Sequence, residues 1–212
     1  MNLLLFVDLF AIFFFALSGS VAGMKKGIDW FGIIFMGFIT AVGGASVRDL
    51  FLGMRPVWIS HNAYIPVALF GSCLALSFSA KIPRFKKPIV VIDTLGISLA
   101  TLVGVEKSLA AGAVPAAAIF FGVLSSICGG IMRDAIRNEV PIVFRRELYA
   151  TACVAGAVLF WLLINNGVEN YLAYIIGSGS IILIRYLAVR YDIHLPYIGE
   201  PGTHILKSKL ER

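Results

Sequence analysis

Charge is scarce in this chain. Only 14% of its 212 residues are Asp, Glu, Lys or Arg, 59% are apolar, and the mean hydropathy is +0.90. Soluble domains carry about 25% charged and about 45–50% apolar residues. A composition this far from that range excludes a soluble enzyme, a disordered tail and a nucleic-acid module. Cysteine is scarce too. Cys73, Cys128 and Cys153 all lie in apolar runs and form no CxxC or Cys/His cluster, which excludes a disulfide scaffold and leaves them as small apolar packing residues. His61, His194 and His204 stand apart at no metal-ligand spacing, and no Ser-His-Asp set, Walker loop, dinucleotide fingerprint or HExxH occurs. The expectation is no catalytic residue, no cofactor and no bound metal. The net charge of +6 is dispersed in short segments between apolar runs, as in membrane-protein loops and not in a nucleic-acid footprint.

What the chain has in quantity is long apolar stretches: Leu3–Gly23, Trp30–Met54, Ala63–Ala80, Ile89–Val105, Val114–Ile136, Leu148–Ile164 and Tyr171–Val189. Each is about 17–25 residues, enough to cross about 30 Å of hydrocarbon as a helix. Helices are required because unpaired backbone groups in lipid cost several kcal/mol each, and no alternating strand pattern suggests a barrel. The fold class expected is an all-α membrane protein: seven transmembrane helices in a single domain, residues 1–190, with a short cytoplasmic tail, 191–212. Residues 1–23 carry no Lys or Arg, contain Asp8 and precede Lys25 and Lys26, the layout of a retained span and not of a signal peptide. Seven spans place the termini on opposite faces. Fifteen of the 18 Lys and Arg fall on the face opposite the N-terminus; Arg48, Arg55 and Lys107 are the others. The positive-inside rule then sets the N-terminus outside and the C-terminus in the cytoplasm of a prokaryotic plasma (inner) membrane.

Sliding the chain against itself gives one register, an offset of 85 residues, with 15 identities in the 70 positions of 6–75 against 91–160. The matched residues are telling in kind: Asp8/Asp93, Gly19/Gly104, Gly27/Gly112, Gly37/Gly122, Gly44/Gly129, Arg48/Arg133, Asp49/Asp134, Pro56/Pro141, Tyr64/Tyr149 and Gly71/Gly156. Repeat one covers about 3–80 and repeat two about 88–165; the seventh helix, about 171–190, is added. Three spans per unit make the second copy enter the membrane from the opposite face. Such inverted repeats are typical of proteins that pass solutes, with a site near the midplane where the copies meet.

The second span holds Gly43, Gly44, Ala45 and Ser46 just before Arg48-Asp49, and the fifth holds Cys128, Gly129 and Gly130 just before Arg133-Asp134. Paired glycines weaken a helix by about 1 kcal/mol each and allow a kink or broken turn, whose carbonyls suit a cation. Thr40, Ser46, Ser125 and Ser126 add hydroxyls to the same path. The alternative is that the glycines only let helices pack closely, as Gly19 and Gly23 are expected to do. Intramembrane Arg48 and Arg133 cost about 2.5–3.5 kcal/mol each on insertion scales, so each needs an anion. Topology brings Asp8 to Arg48 and Asp93 to Arg133, with Asp49 and Asp134 as competing partners. The basic stretch 81–88 and Arg145-Arg146 read as topology signals, with anionic lipid headgroups as candidate partners.

The doubled three-helix unit, the Gly-Gly…Arg-Asp motif in the second and fifth spans and the added seventh helix resemble the prokaryotic trimeric intracellular cation (TRIC) channels over residues 3–190. That resemblance implies a homotrimer with a pore in each protomer, lined by second and fifth helices kinked at Gly43-Gly44-Ala45 and Cys128-Gly129-Gly130, and permeable to K⁺ as a transient ion. Ala45 and Cys128 depart from the fuller glycine triplet common in that family. Nothing resembles the TVGYG loop of strongly selective K⁺ channels, so weak discrimination between K⁺ and Na⁺ is expected. The alternative is a secondary carrier of a small neutral solute such as glycine, which inverted repeats serve equally well; the domain has also been named for glycine transport.

Overall fold

A computed structural model describes residues 3–78, 87–144 and 148–193. The described residues form eight α-helices, α1 (Leu3–Met24), α2 (Trp30–Phe51), α3 (Val57–Ser60), α4 (Tyr64–Ser77), α5 (Lys87–Ala110), α6 (Pro115–Ile136), α7 (Ala150–Asn165) and α8 (Asn170–Tyr191), plus a 3-10 turn at Ile142–Phe144. No strand occurs among them. Five helices, α1, α2, α5, α6 and α8, are each long and apolar enough to cross a membrane. The expected third and sixth spans correspond to the shorter apolar helices α4 and α7, of 14 and 16 residues. At 1.5 Å per residue α4 reaches only about 21 Å, because its N-terminus begins inside the bundle, at buried Tyr64. Much of the basic stretch 81–88, Arg145-Arg146 and most of the tail expected at 191–212 lie outside the described residues.

The bundle is apolar outside and has a largely apolar core that also holds its ionised groups away from lipid. Trp30, Phe31, Phe51, Phe120 and Tyr186 are more than half exposed, whereas Asp8, Arg48, Asp49, Asp93, Arg133 and Asp134 are at most 3% exposed. Helix α1 packs on α2, α4 and α5; α5 packs on α6, α7 and α8; and α2 packs on α6. Small residues set these approaches. A Cβ on Gly19 would stand 2.8 Å from Thr40 Cβ, and one on Gly104 would stand 2.7 Å from Gly122 Cα. Close α1–α2 packing at Gly19 is therefore as the sequence predicts.

The offset of 85 reappears in the backbone. Met54 N–H donates to Asp49 O at 2.8 Å and Glu139 N–H to Asp134 O at 2.9 Å, closing the same turn after α2 and α6. That turn needs a positive φ, supplied by Gly53 (68°) in one half and by Asn138 (53°) in the other.

Candidate functional site: the α2–α6 crossing and its flanking charges

Where α2 and α6 cross, Gly44 lies against the carbonyl oxygen of Ser125 and Gly129 against that of Thr40, so closely that a Cβ on either glycine would overlap the backbone. Thr40 and Ser125 are mates at the offset of 85, as are Gly44 and Gly129. The two contacts are thus one contact made twice, the reciprocity that a twofold relation imposes. Both helices are helical throughout. Of the kink or broken turn expected at Gly43-Gly44-Ala45 and Cys128-Gly129-Gly130, the broken turn is not present, and Gly44 and Gly129 serve close approach. Packing supplies the reason, since a glycine that lets two backbones meet gains contact that offsets its weak helix propensity.

Beside the crossing lies a cavity lined by Asp8, Thr40, Gly44, Ala45, Arg48 and Ser125, among others, with a volume of about 10 Å³, room for about one water. Thr40 donates to Met36 O at 2.7 Å, leaving its oxygen lone pairs as acceptors. Ser46 is drawn away: it donates to Val42 O at 2.8 Å and accepts from Trp58 Nε1 at 3.0 Å. Ser126 donates to Val123 O at 2.8 Å within its own helix. A Cβ on Gly43 would meet the Met132 sulfur and one on Gly130 would stand 3.2 Å from the Tyr149 hydroxyl, and Cys128 is half-buried. The structure therefore brings together Thr40, Gly44, Ala45 and Ser125, but not Ser46 or Ser126.

Each side of the crossing carries a buried cluster of charge. On the face opposite the N-terminus, Arg133 Nη1 donates to Asp93 at 2.5 Å and to Ser18 Oγ at 2.9 Å, while its Nε and Nη2 donate to Asp134 at 2.8 and 3.1 Å. The Asp93–Arg133 pair is as expected, with Asp134 sharing the same guanidinium. Tyr149 donates to the other Asp93 oxygen at 2.9 Å. On the N-terminal face the expected Asp8–Arg48 pair does not form. Arg48 is held by its neighbour Asp49, at 2.9 Å from Nε and 2.5 Å from Nη2. Asp8 instead accepts from Lys107 Nζ at 2.5 Å and from the Tyr64 hydroxyl at 2.5 Å. In both halves the aspartate after the arginine also accepts a backbone N–H eight residues on, Val57 at 3.0 Å and Ile142 at 3.1 Å. Asp49 and Asp134 thus anchor a turn as well as a guanidinium.

Sequence reasoning assigned no site role to Lys107, Tyr64, Tyr149 or Arg185. Lys107 was legible only as one of three cations on the sparse face. Opposite it in the repeat stands Ala22, so no cation from α1 reaches Asp93 and Arg133 must serve it. Arg185, counted with the basic face, is 1% exposed; its Nε donates to Thr94 at 3.1 Å and its guanidinium lies 4.5 Å from the centre of the Tyr149 ring.

Long apolar helices around an ionised interior define a multi-pass α-helical membrane protein. The family model described as Glycine transporter matches it twice, over residues 5–80 and 90–165, at the same offset of 85. The UPF0126 membrane protein of Deinococcus radiodurans is 36% identical over 193 residues, 90% of this chain and 89% of that one. The UPF0126 inner membrane protein YadS of Escherichia coli is 33% identical over 199 residues, 92% of this chain and 95% of that one. The TRIC trimeric intracellular cation channel orthologue from Rhodobacter sphaeroides superposes with a TM-score of 0.86 at 31% identity, covering 91% of this chain and all of that one. The chain belongs to the prokaryotic TRIC channel family, a family of membrane channels and not of enzymes.

Proposed function

We propose that the chain is a monovalent-cation channel, carrying mainly K⁺, and that ions cross it beside the α2–α6 crossing, between the two repeats. The observation that carries this reading is the reciprocal Gly44/Ser125 and Gly129/Thr40 contact with a buried carboxylate cluster on each side of it. A cation passing either cluster meets Asp8 or Asp93, whose charge replaces part of the water it loses. In this conformation the Lys107 ammonium stands against Asp8, where a permeant cation would be stabilised, and the cavity beyond has room for about one water. This is a closed state. It conducts once Lys107 leaves Asp8 and α2 and α6 separate.

Seven spans, counting α4 and α7, make the three-helix repeats inverted, and the twofold reciprocity at the crossing supports that arrangement. The likeness to a protein described as a trimeric channel supports a homotrimer with one path per protomer. Basic-residue placement supports an outside N-terminus and a cytoplasmic C-terminus, and the basic face is suited to anionic lipid headgroups.

Single-channel recording of purified protein in a planar bilayer under a KCl gradient tests the proposal. Discrete steps reversing near the K⁺ equilibrium potential are expected; reversal on the Cl⁻ side overturns the selectivity. A second reading, a carrier of a neutral solute such as glycine, is favoured by the family description. It requires a silent bilayer, with insertion demonstrated, together with radiolabelled glycine counterflow.

A further inference from the structure

The two faces treat one cleft in opposite ways. On the N-terminal face an open cleft of about 280 Å³ is lined by residues that include Asp49, Met54, Val57, Lys107, Ala110 and Ala111. Their mates at the offset of 85 are Asp134, Glu139, Ile142, Ala22, Lys25 and Lys26. There Lys26 Nζ lies 3.7 Å from Glu139 Oε1, Arg137 Nη2 donates to that same oxygen at 2.8 Å, and Arg137 Nη1 lies 3.6 Å from Asp134. One carboxylate thus ties the α1–α2 connection to the end of α6. In the open half the three bridging positions are Ala111, Met54 and Leu52, which carry no charge.

We infer that the Lys26–Glu139–Arg137 bridge is a latch that holds this second mouth shut and that yields to ionic strength. The inference rests on the reading above only in treating the cleft as a mouth of the ion path. Two observations beyond the bridge support it. Arg137 Nε is buried with no hydrogen-bond partner, so the closed arrangement leaves a polar group unsatisfied. The Lys26 and Glu139 side chains are 40% and 31% exposed, so salt reaches them, and screening shortens from about 10 Å at 0.1 M to about 3 Å at 1 M. Arg133, Asp93 and Asp134, at most 1% exposed, are shielded and stay paired.

The test uses the full chain in liposomes, with Cys73→Ala and Cys128→Ala, and a reporter thiol introduced by Ile142→Cys in the wall of the cleft. The readout is its rate of reaction with a charged methanethiosulfonate. Glu139→Gln is expected to speed modification about five-fold, the scale of a part-exposed ion-pair network, and to flatten its rise between 0.1 and 1 M salt. Lys26→Gln should act in the same direction, and it provides the reading if Glu139→Gln fails to fold. Arg190→Gln, at the end of α8, is the control for general charge loss. Rates unmoved by both substitutions and by salt overturn the latch. K⁺ currents from the same preparations separate the two ideas: altered thiol rates with every variant silent uphold the latch and reject the channel, and unaltered rates with currents present do the reverse.

Discussion

Asp8 and Asp93 occupy matching places on α1 and α5, and each accepts from the tyrosine 56 residues further on, yet different helices supply the cations that neutralise them. Asp93 takes Arg133, from the helix after its own, and shares it with Asp134. Asp8 takes Lys107, from the opposite repeat, which leaves Arg48 wholly to Asp49. The halves differ here at two positions, Lys107 against Ala22 and Arg137, 3.6 Å from Asp134, against Leu52. Where Lys107 stands against Asp8 the network splits into two pairs; where Ala22 takes its place one arginine bridges two carboxylates, with Arg137 3.6 Å from Asp134. The two clusters are therefore asymmetric: the N-terminal one is neutralised by a lysine beside an open cleft, the other by a buried guanidinium with three donor nitrogens engaged.

The feature the halves share gives the largest expected effect. Gly44→Val and Gly129→Val should each abolish monodisperse, folded protein in detergent, because the added Cβ meets carbonyl oxygens and cannot be accommodated by rotating a side chain. A strong effect from only one of the two would break the twofold equivalence. Next come the arginines. Arg133→Met leaves Asp93 with the Tyr149 hydroxyl alone and takes the nearest cation from Asp134, which keeps the Ile142 N–H and Arg137 at 3.6 Å, and should lower stability by about 3–5 kcal/mol. Arg48→Met strands only Asp49, which keeps the Val57 N–H, and should cost about 2 kcal/mol less than that. Thermal unfolding of the two variants side by side measures the gap, and equal losses would refute the split-network account.

Lys107→Met sharpens the point. Asp8 must then turn to Arg48, so a following Arg48→Met should cost more than it does in the parent chain. The expected non-additivity is about 1–2 kcal/mol, within the range for coupled neighbours. If Lys107 blocks the path as proposed, the same variant raises K⁺ conductance in bilayer recordings. Tyr64→Phe and Tyr149→Phe should have the smallest effects, about 0.6–2 kcal/mol each for a hydrogen bond between helices in a membrane. Tyr149 should lie at the upper end because its ring also supports Arg185.

The residues themselves announced the helical bundle, the offset of 85 and the Arg133–Asp93 pair. Segments long and apolar enough to span lipid have few alternatives to helix, and an ionised group in hydrocarbon must have a partner nearby. The repeat was readable because the residues it preserves, Gly44/Gly129 and Arg48/Arg133 among them, are ones that packing and charge do not readily exchange. The shortness of α4 and the four-residue α3 were not readable, since apolar composition does not say where a helix starts inside a bundle. Nor was the use of Gly43–Ala45 and Cys128–Gly130. Glycine permits a kink, a broken turn and a close crossing, and the carbonyls of Ser125 and Thr40 lying against Gly44 and Gly129 reveal the crossing. The assignment of cations to Asp8, the burial of Arg185 and the bridge of Lys26 to Glu139 depend on how side chains far apart in the chain come together. Local sequence fixes which residues must find partners; the distances that choose among them exist only once the helices have packed.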